Sequence, residues 1–168
     1  RTVIKEIAAE HGYLATFMAK PFHDLSGSGF HTHTSVWRDG VNLFADQGKL
    51  SRFGRQWLAG LQRRIAEASL TASTTPNAYR RRQPYSFCPI NASWGVDNRT
   101  VALRVIEGTD SQVRIEKRDG AADTNPYYLL AAEIAAGLDG VEQELEPLGA
   151  AFPGNAYEST DFAPLPRD

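Results

Sequence analysis

The chain has 168 residues, of which 42% are hydrophobic and 23% are charged, and its formal net charge is −2 at pH 7. These values are typical of a globular protein with one ordinary core, and they argue against nucleic acid or a membrane as its partner. The single cysteine, Cys88, excludes an internal disulfide and favours a reducing compartment, so we expect a cytoplasmic location.

The N-terminal part predicts one helix and two strands. Apolar residues recur at helical spacing over residues 2–11, and Gly12 can end this helix. Residues 13–21 and 29–37 are predicted to form strands, and Asp39 with the glycine that follows it predicts a turn after the second strand.

Two of the four histidines, His31 and His33, lie two positions apart in the second predicted strand. Because side chains alternate along a strand, both imidazoles would share a face with Gly29 and Ser35. Two imidazoles at this spacing could bind one metal ion or serve two neighbouring tasks, and a hydrogen-bonded surface pair is the alternative.

Two long amphipathic helices are predicted in the remainder of the chain. Ser51 can cap the first, whose apolar face comprises Phe53, Trp57, Leu58, Leu61, Ile65 and Ala68. Asn125 can cap the second, with Pro126 at its first position. Its buried stripe is expected at Tyr127, Leu130, Ile134, Leu138, Val141 and Leu145.

Between these helices the sequence predicts a long loop and two strands. The loop, residues 71–89, contains Thr, Pro and Asn residues typical of loops, and long irregular segments of this kind are usually functional or mobile. Residues 90–107 and 111–118 predict the strands. Because strands and helices do not alternate regularly, the pattern indicates an α+β fold.

Seven arginines lie between residues 80 and 118. The planar guanidinium group suits carboxylates and phosphates, so this density favours anionic ligands. On the strand 111–118, Arg114, Glu116 and Arg118 would share one face, either as a ladder of ion pairs or as part of a site. Arg99 and Arg104 have opposite parity, so both can reach one site only if their strand is irregular.

Five blocks of sequence, in order, resemble the C-terminal part of the catalytic domain of class I glutamine synthetase-type ligases. They are KPFHDLSGSGFHTHTSVWRDG, TTPNAYRRRQP, DNRTVALRV, RIEKR and TNPYYLLAAEIAAGLDGV. The resemblance implies an α+β fragment of that domain, with antiparallel strands and flanking helices. It also implies that residues 1–168 lack the N-terminal β-grasp domain and the E-x-E strand that carries further metal ligands.

The resemblance implies an ATP-dependent ligase that joins an amine to the γ-carboxylate of glutamate through a γ-glutamyl phosphate, with Mg²⁺ or Mn²⁺ as cofactor. Carried over to the matching positions, the roles are metal binding by His31 and Glu116, ATP binding by His33, Ser35, Arg104 and Arg114, glutamate binding by Gly27, Arg81 and Arg118, and catalysis by Arg99. The full-length protein would be a ring-forming homo-oligomer, and the isolated chain is expected to be inactive.

One departure from the family pattern concerns the amine. The family's flap motif P-G-[YF]-E-A-P corresponds here to PYSFCP, so Phe87 stands where relatives carry a glutamate that helps to deprotonate ammonium. No Asp or Glu occurs between residues 71 and 96, so a shift of alignment restores no acid. We therefore expect an organic amine as substrate. The alternatives are a glutamine synthetase that uses ammonia and a synthetase-like protein without activity.

Overall fold

Short strands and two long helices make up most of the regular structure. The computed structural model describes residues 1–167, and an isolated 3-10 turn at Ala156–Glu158 follows the last helix. The elements in chain order are α1 (Thr2–Glu10), β1 (Thr32–Thr34), β2 (Trp37–Arg38), β3 (Val41–Asn42), β4 (Ala45–Asp46), β5 (Lys49–Leu50), α2 (Arg52–Arg64), α3 (Ser69–Ala72), α4 (Pro76–Tyr79), β6 (Trp94–Val96), β7 (Leu103–Ile106), β8 (Arg114–Lys117) and α5 (Pro126–Glu142).

The main sheet has four strands in the order β1-β8-β7-β6. Strand β8 is antiparallel to both β1 and β7, whereas β6 and β7 are parallel. Two small antiparallel hairpins, β2-β3 and β4-β5, lie between β1 and α2. The α+β class with antiparallel strands and flanking helices is therefore confirmed, with one parallel pair that the sequence pattern did not predict.

The single strand predicted over residues 90–107 is wrong, because the chain turns at residues 97–102 and separates β6 from β7. Asp97 begins the turn with a positive φ of 48°. The Asn98 side chain then holds the turn, since its Nδ2 donates to the backbone oxygens of Phe152 (2.9 Å) and Gly154 (2.7 Å). The strand is thus irregular between Arg99 and Arg104, as predicted from their opposite parity.

The two strands predicted near the N-terminus are also corrected. Residues 13–21 form no strand. The backbone of Lys20 instead bonds to the side-chain amide of Asn77, which accepts from its N–H at 2.7 Å and donates to its oxygen at 2.9 Å. Of residues 29–37, only Thr32–Thr34 and Trp37–Arg38 pair with other strands.

Helix α2 begins where the cap predicts, since Ser51 Oγ accepts a hydrogen bond from the N–H of Gly54 at 3.1 Å. Its apolar face packs against one face of the main sheet, in a core that includes Trp57, Leu58, Leu61, Leu103, Val105 and Ile115. The helix ends at Arg64, earlier than predicted, and α3 follows after a short turn.

In helix α5 the predicted cap is confirmed, but the predicted buried stripe is wrong. Asn125 Oδ1 accepts from the N–H of Tyr127 at 3.0 Å. The stripe is largely exposed, with exposed fractions of 81% for Tyr127, 42% for Leu130, 50% for Ile134 and 44% for Leu138. The residues that are buried are Leu129, Glu133, Ala136, Gly137 and Gly140.

The close approach of α2 explains which face of α5 is buried. A Cβ atom added to Gly140 would lie 2.2 Å from the backbone oxygen of Gln56, and one added to Gly60 would lie 2.0 Å from the backbone oxygen of Ala136. Two helices can approach this closely only where neither carries a large side chain. Helix α5 is therefore buried mainly through its small residues, and most of its larger apolar residues face outward, with Leu129 as the buried exception.

Helix α1 confirms the first predicted element, and Gly12 follows it with a φ of 76°. Its apolar residues Val3, Ile4 and Ile7 are at least half exposed. No helix among residues 1–167 is both long enough and apolar enough to cross a membrane.

Candidate functional site

A row of side chains crosses the main sheet and forms the centre of the site. In the register of the sheet, His33 on β1 and Arg104 on β7 both stand opposite Glu116 on β8. The neighbouring residues Ile115 and Lys117 point to the other face because side chains alternate along a strand. Ile115 joins the core there and is 1% exposed. The core thus fixes which side chains of β8 reach the site.

Glu116 is the hub of this cluster. Its carboxylate accepts hydrogen bonds from Arg118 Nη1 at 2.9 Å and from Arg104 Nη1 at 3.2 Å. Its Oε1 also lies 3.0 Å from His31 Nδ1 and 3.7 Å from His33 Nε2. Burial alone would raise the pKa of Glu116, but Arg118 above all, together with His31 and Arg104, lowers it. The carboxylate is therefore ionised at neutral pH.

His31 is held as a neutral imidazole. Burial lowers its pKa, and the positive charge of Arg118 lowers it further, against the opposing effect of Glu116. The other ring nitrogen, Nε2, points toward Gly29, where an added Cβ would lie only 3.2 Å from it. A neutral imidazole has a lone pair available to bind a metal ion or to accept a proton.

A pocket of about 300 Å³ opens beside His31. It combines residues predicted for glutamate binding, Gly27 and Arg81, with Phe87, which is predicted for amine selectivity. Its lining residues are Ser26, Gly27, Gly29, His31, Arg81, Ser86, Phe87 and Cys88. Two segments that lie far apart in the sequence, residues 26–31 and 81–88, thus meet at one cavity.

Gly27 and Arg81 are packed against each other at this pocket. A Cβ on Gly27 would lie 2.7 Å both from the backbone oxygen of Ala19 and from Cγ of Arg81, so a larger residue does not fit. Arg81 is 4% exposed, and its Nη1 donates to the backbone oxygen of Asp119 at 3.3 Å. The short helix α4, which Thr75 caps, places Arg81 just after its end.

The remaining predicted residues lie around or outside the cluster. Arg114 Nε donates to His33 Nδ1 at 3.3 Å, at the exposed end of the row. Ser35 accepts from Trp37 Nε1 at 2.9 Å and makes no contact with Glu116. Arg99 is exposed in the turn between β6 and β7, and within residues 1–167 its side chain has no hydrogen bond or ion pair. The structure therefore does not bring Ser35 or Arg99 into the cluster.

Sequence reasoning missed Asp97, which forms an ion pair with Arg104 Nη2 at 3.0 Å. A signal was present, because Asp and Asn are common in turns, where their side chains form hydrogen bonds with nearby groups. It also missed a buried charge cluster beneath the row. There Lys117 Nζ lies 2.6 Å from Asp119 Oδ1 and 3.8 Å from Glu133 Oε1.

The residues present supply part of a metal site. Within residues 1–167, no group of three or more His, Cys, Asp or Glu side chains is arranged to hold a metal ion. A neutral imidazole and an ionised carboxylate in contact, His31 and Glu116, fit two positions of a divalent cation such as Mn²⁺ or Mg²⁺. The remaining ligands would have to be water, substrate or other protein groups.

Comparison with known proteins identifies the relatives of this chain. A gamma-glutamylethanolamide synthetase of Streptomyces coelicolor is 46% identical over 167 residues, which are 99% of this chain and 35% of that protein. A glutamate–isopropylamine ligase of a Pseudomonas species is 44% identical over 92% of this chain and 34% of its own length. A glutamine synthetase of Thermococcus kodakarensis is 36% identical over 95% of this chain and 36% of its own length.

The chain thus spans about a third of the length of these curated relatives. The family described as "Glutamine synthetase, catalytic domain" matches residues 1–167. All three relatives are named as synthetases or ligases, and two of the names specify an organic amine or its amide. The resemblance of the five sequence blocks is confirmed, and the chain belongs to the glutamine synthetase family.

Proposed function

We propose that this chain is the C-terminal part of the catalytic domain of an ATP-dependent ligase that joins an organic amine to the γ-carboxylate of glutamate. The observation that carries the proposal is the pocket in which Gly27, Arg81 and His31 meet Phe87. Anion-binding and metal-binding groups line this pocket beside an uncharged aromatic ring. The names of two relatives, a gamma-glutamylethanolamide synthetase and a glutamate–isopropylamine ligase, support the same substrate class.

In this proposal glutamate binds in the pocket. The carboxylate of glutamate pairs with the guanidinium group of Arg81. Arg118, which donates a hydrogen bond to Glu116, contributes a second positive charge to this carboxylate. Gly27 leaves the space that a side chain would fill. ATP lies along the row, and the residues that would contact it are His33, Ser35, Arg104 and Arg114. Arg99, whose side chain is exposed, would contact the developing acyl phosphate when substrates are bound.

His31 and Glu116 would hold a divalent cation together with ligands from the rest of the protein. When bound, the cation would neutralise phosphate charge during phosphoryl transfer. Arg104 and Arg118 keep Glu116 ionised and fix its orientation. In the full-length protein we expect a homo-oligomeric ring in which neighbouring subunits complete each site.

Phe87 carries the argument for the amine. Its side chain is 70% exposed, and it lines the pocket on the flap segment, which we define as residues 84–89. A phenyl ring has no proton acceptor with which to attract or deprotonate ammonium. It does offer surface to an alkyl chain or to a cationic amine. An organic amine therefore gains contacts at Phe87 that ammonia cannot make.

The test is kcat/KM of the full-length enzyme for ammonium and for a panel of small alkylamines, amino alcohols and polyamines, at fixed ATP and glutamate. We expect an organic amine to be preferred, and Phe87→Glu to shift selectivity toward ammonium by roughly tenfold or more. Phe87→Leu is the matched control, because it removes the aromatic ring without adding an acid, and it should not improve the use of ammonium. A wild-type enzyme that clearly prefers ammonium would refute the organic-amine assignment.

A further inference from the structure

The flap segment is tied to the C-terminal segment, which we define as residues 155–166. Tyr85 Oη donates a hydrogen bond to Glu158 Oε1 at 3.1 Å, and the Tyr85 ring lies 5.4 Å from the ring of Tyr157. Asn155 Nδ2 donates to the same carboxylate oxygen at 2.9 Å, which fixes the orientation of Glu158. The hydrogen bond raises the pKa of Tyr85, so the phenol stays protonated and remains a donor.

The backbone of the flap segment needs such support. Tyr85 and Phe87 both have positive φ angles, 60° and 62°, in the region that favours glycine. Residues other than glycine keep this conformation only where their surroundings fix it. Within the loop, Ser86 Oγ lies 2.8 Å from the backbone oxygen of Arg81 and 2.6 Å from that of Gln83, and its hydroxyl donates to this pair of acceptors. Tyr85 adds a side-chain tie to the C-terminal segment, two residues before Phe87.

The C-terminal segment is itself firmly attached just beyond the flap. The N–H of Ala92 donates to the oxygen of Ala163, and the N–H of Leu165 donates to the oxygen of Ile90, both at 2.9 Å. Asn91 Nδ2 donates to the oxygen of Ala156 at 2.8 Å. Glu158 is therefore presented to the flap from a fixed position.

We propose that Glu158 is a positioning residue that acts through Tyr85 to hold Phe87 at the mouth of the amine pocket. This proposal rests on the proposed function, in which Phe87 selects the amine. Glu158 itself does not line the pocket. Loss of its bond to Tyr85 allows the flap to leave its left-handed conformation, so Phe87 departs from the pocket and Cys88 behind it becomes accessible.

Cys88 gives a readout that does not depend on activity. It is 2% exposed, directly follows Phe87, and lines the same pocket. Its alkylation in the full-length protein, located by peptide mass spectrometry, measures how often the flap opens. We expect Tyr85→Phe and Glu158→Ala to accelerate this alkylation about three- to tenfold, the range that corresponds to the loss of one hydrogen bond. Glu158→Gln keeps an acceptor oxygen and should restore most of the protection.

Kinetics provide the second measurement. The same two variants should lower kcat/KM for the preferred amine by a similar factor, with KM for ATP unchanged. The double variant should be no worse than either single one, because both remove the same bond. Asp161→Ala is the matched control, since it removes another exposed carboxylate of the C-terminal segment, and it should alter neither measurement.

The outcomes separate the two proposals. If the wild-type enzyme prefers ammonium but Cys88 is alkylated faster in Tyr85→Phe and Glu158→Ala, the proposed amine is wrong and the positioning role of Glu158 stands. If Cys88 protection is unchanged in both variants, or if their effects simply multiply in the double variant, the positioning role of Glu158 is overturned whatever the amine.

Discussion

Replacing Gly140 with alanine should destabilise the protein, because the crossing of α2 and α5 has no room for a methyl group. The new Cβ would lie 2.2 Å from the backbone oxygen of Gln56 and 2.7 Å from the backbone nitrogen of Gly60. These are backbone atoms of a regular helix, so no side-chain rotation relieves the overlap. The helices must separate by about 1 Å or more to reach ordinary contact distances.

Two opposing effects determine how much Gly140→Ala changes the free energy of unfolding. In a helix interior, alanine is favoured over glycine by about 1 kcal/mol. Overpacking a close-packed core costs about 1–3 kcal/mol, and occasionally more. Since the clash involves backbone on both sides, we take the upper end of that range, which leaves a net loss of about 2 kcal/mol in the free energy of unfolding. For a folding unit of this size, this corresponds to a decrease of roughly 4–8 °C in Tm.

The assay is thermal unfolding followed by circular dichroism, with all variants heated at one rate. Gly60→Ala should behave like Gly140→Ala, because its added Cβ would lie 2.0 Å from the backbone oxygen of Ala136. Ala135→Gly, on the exposed side of α5, is the control for helix propensity and should lower stability by only about 0.5–1 kcal/mol. A Tm for Gly140→Ala at or above that of wild type would refute the close crossing.

Two further predictions concern the site and the charges beneath it. His31→Ala in the full-length enzyme should reduce Mg²⁺- or Mn²⁺-dependent activity by about a hundredfold or more, and unchanged activity and metal affinity would contradict its role as a ligand. Burial raises the pKa of Glu133 above its ordinary value of 4.5, against the opposing effect of Lys117. Folding therefore favours the protonated acid, and this contribution is complete below the unfolded pKa and is lost as pH rises through the folded pKa. The free energy of unfolding of wild type minus that of Glu133→Gln, measured in urea, should thus decrease as pH rises above 4.5, and a constant difference would show that the pKa is not raised.

Much of the site was predictable because it depends on local rules. Strand alternation places His31 with His33 on one face, and Glu116 with Arg114 and Arg118 on one face of the next strand. The opposite parity of Arg99 and Arg104 predicts an irregular strand, and the turn between β6 and β7 confirms it, although Arg99 stays outside the cluster. Helix caps at Ser51 and Asn125 follow from the ability of their side chains to accept a backbone hydrogen bond.

Other features depend on contacts that no local pattern encodes. The predicted stripe of α5 is wrong because close approach of the backbones, through Gly60 and Gly140, outweighs the burial of larger apolar side chains. Residues 13–21 have the composition of a strand, but a strand needs a partner, and Asn77 satisfies the backbone there instead. The bond between Tyr85 and Glu158 joins residues 73 positions apart, a separation that periodicity cannot detect.

The register of β8 ties the chemistry of the site to the stability of the core. A slip of one residue would turn Ile115 out of the core and exchange Glu116 for Lys117 on the site face. A cation would then face Arg104 and the histidines, and the Glu116 carboxylate would point to the other face of the sheet. The same apolar contacts that keep Ile115 at 1% exposure therefore also keep the Glu116 side chain on the site face of the sheet. A chain that folded in the wrong register would therefore lose the burial of Ile115 and the placement of Glu116 together.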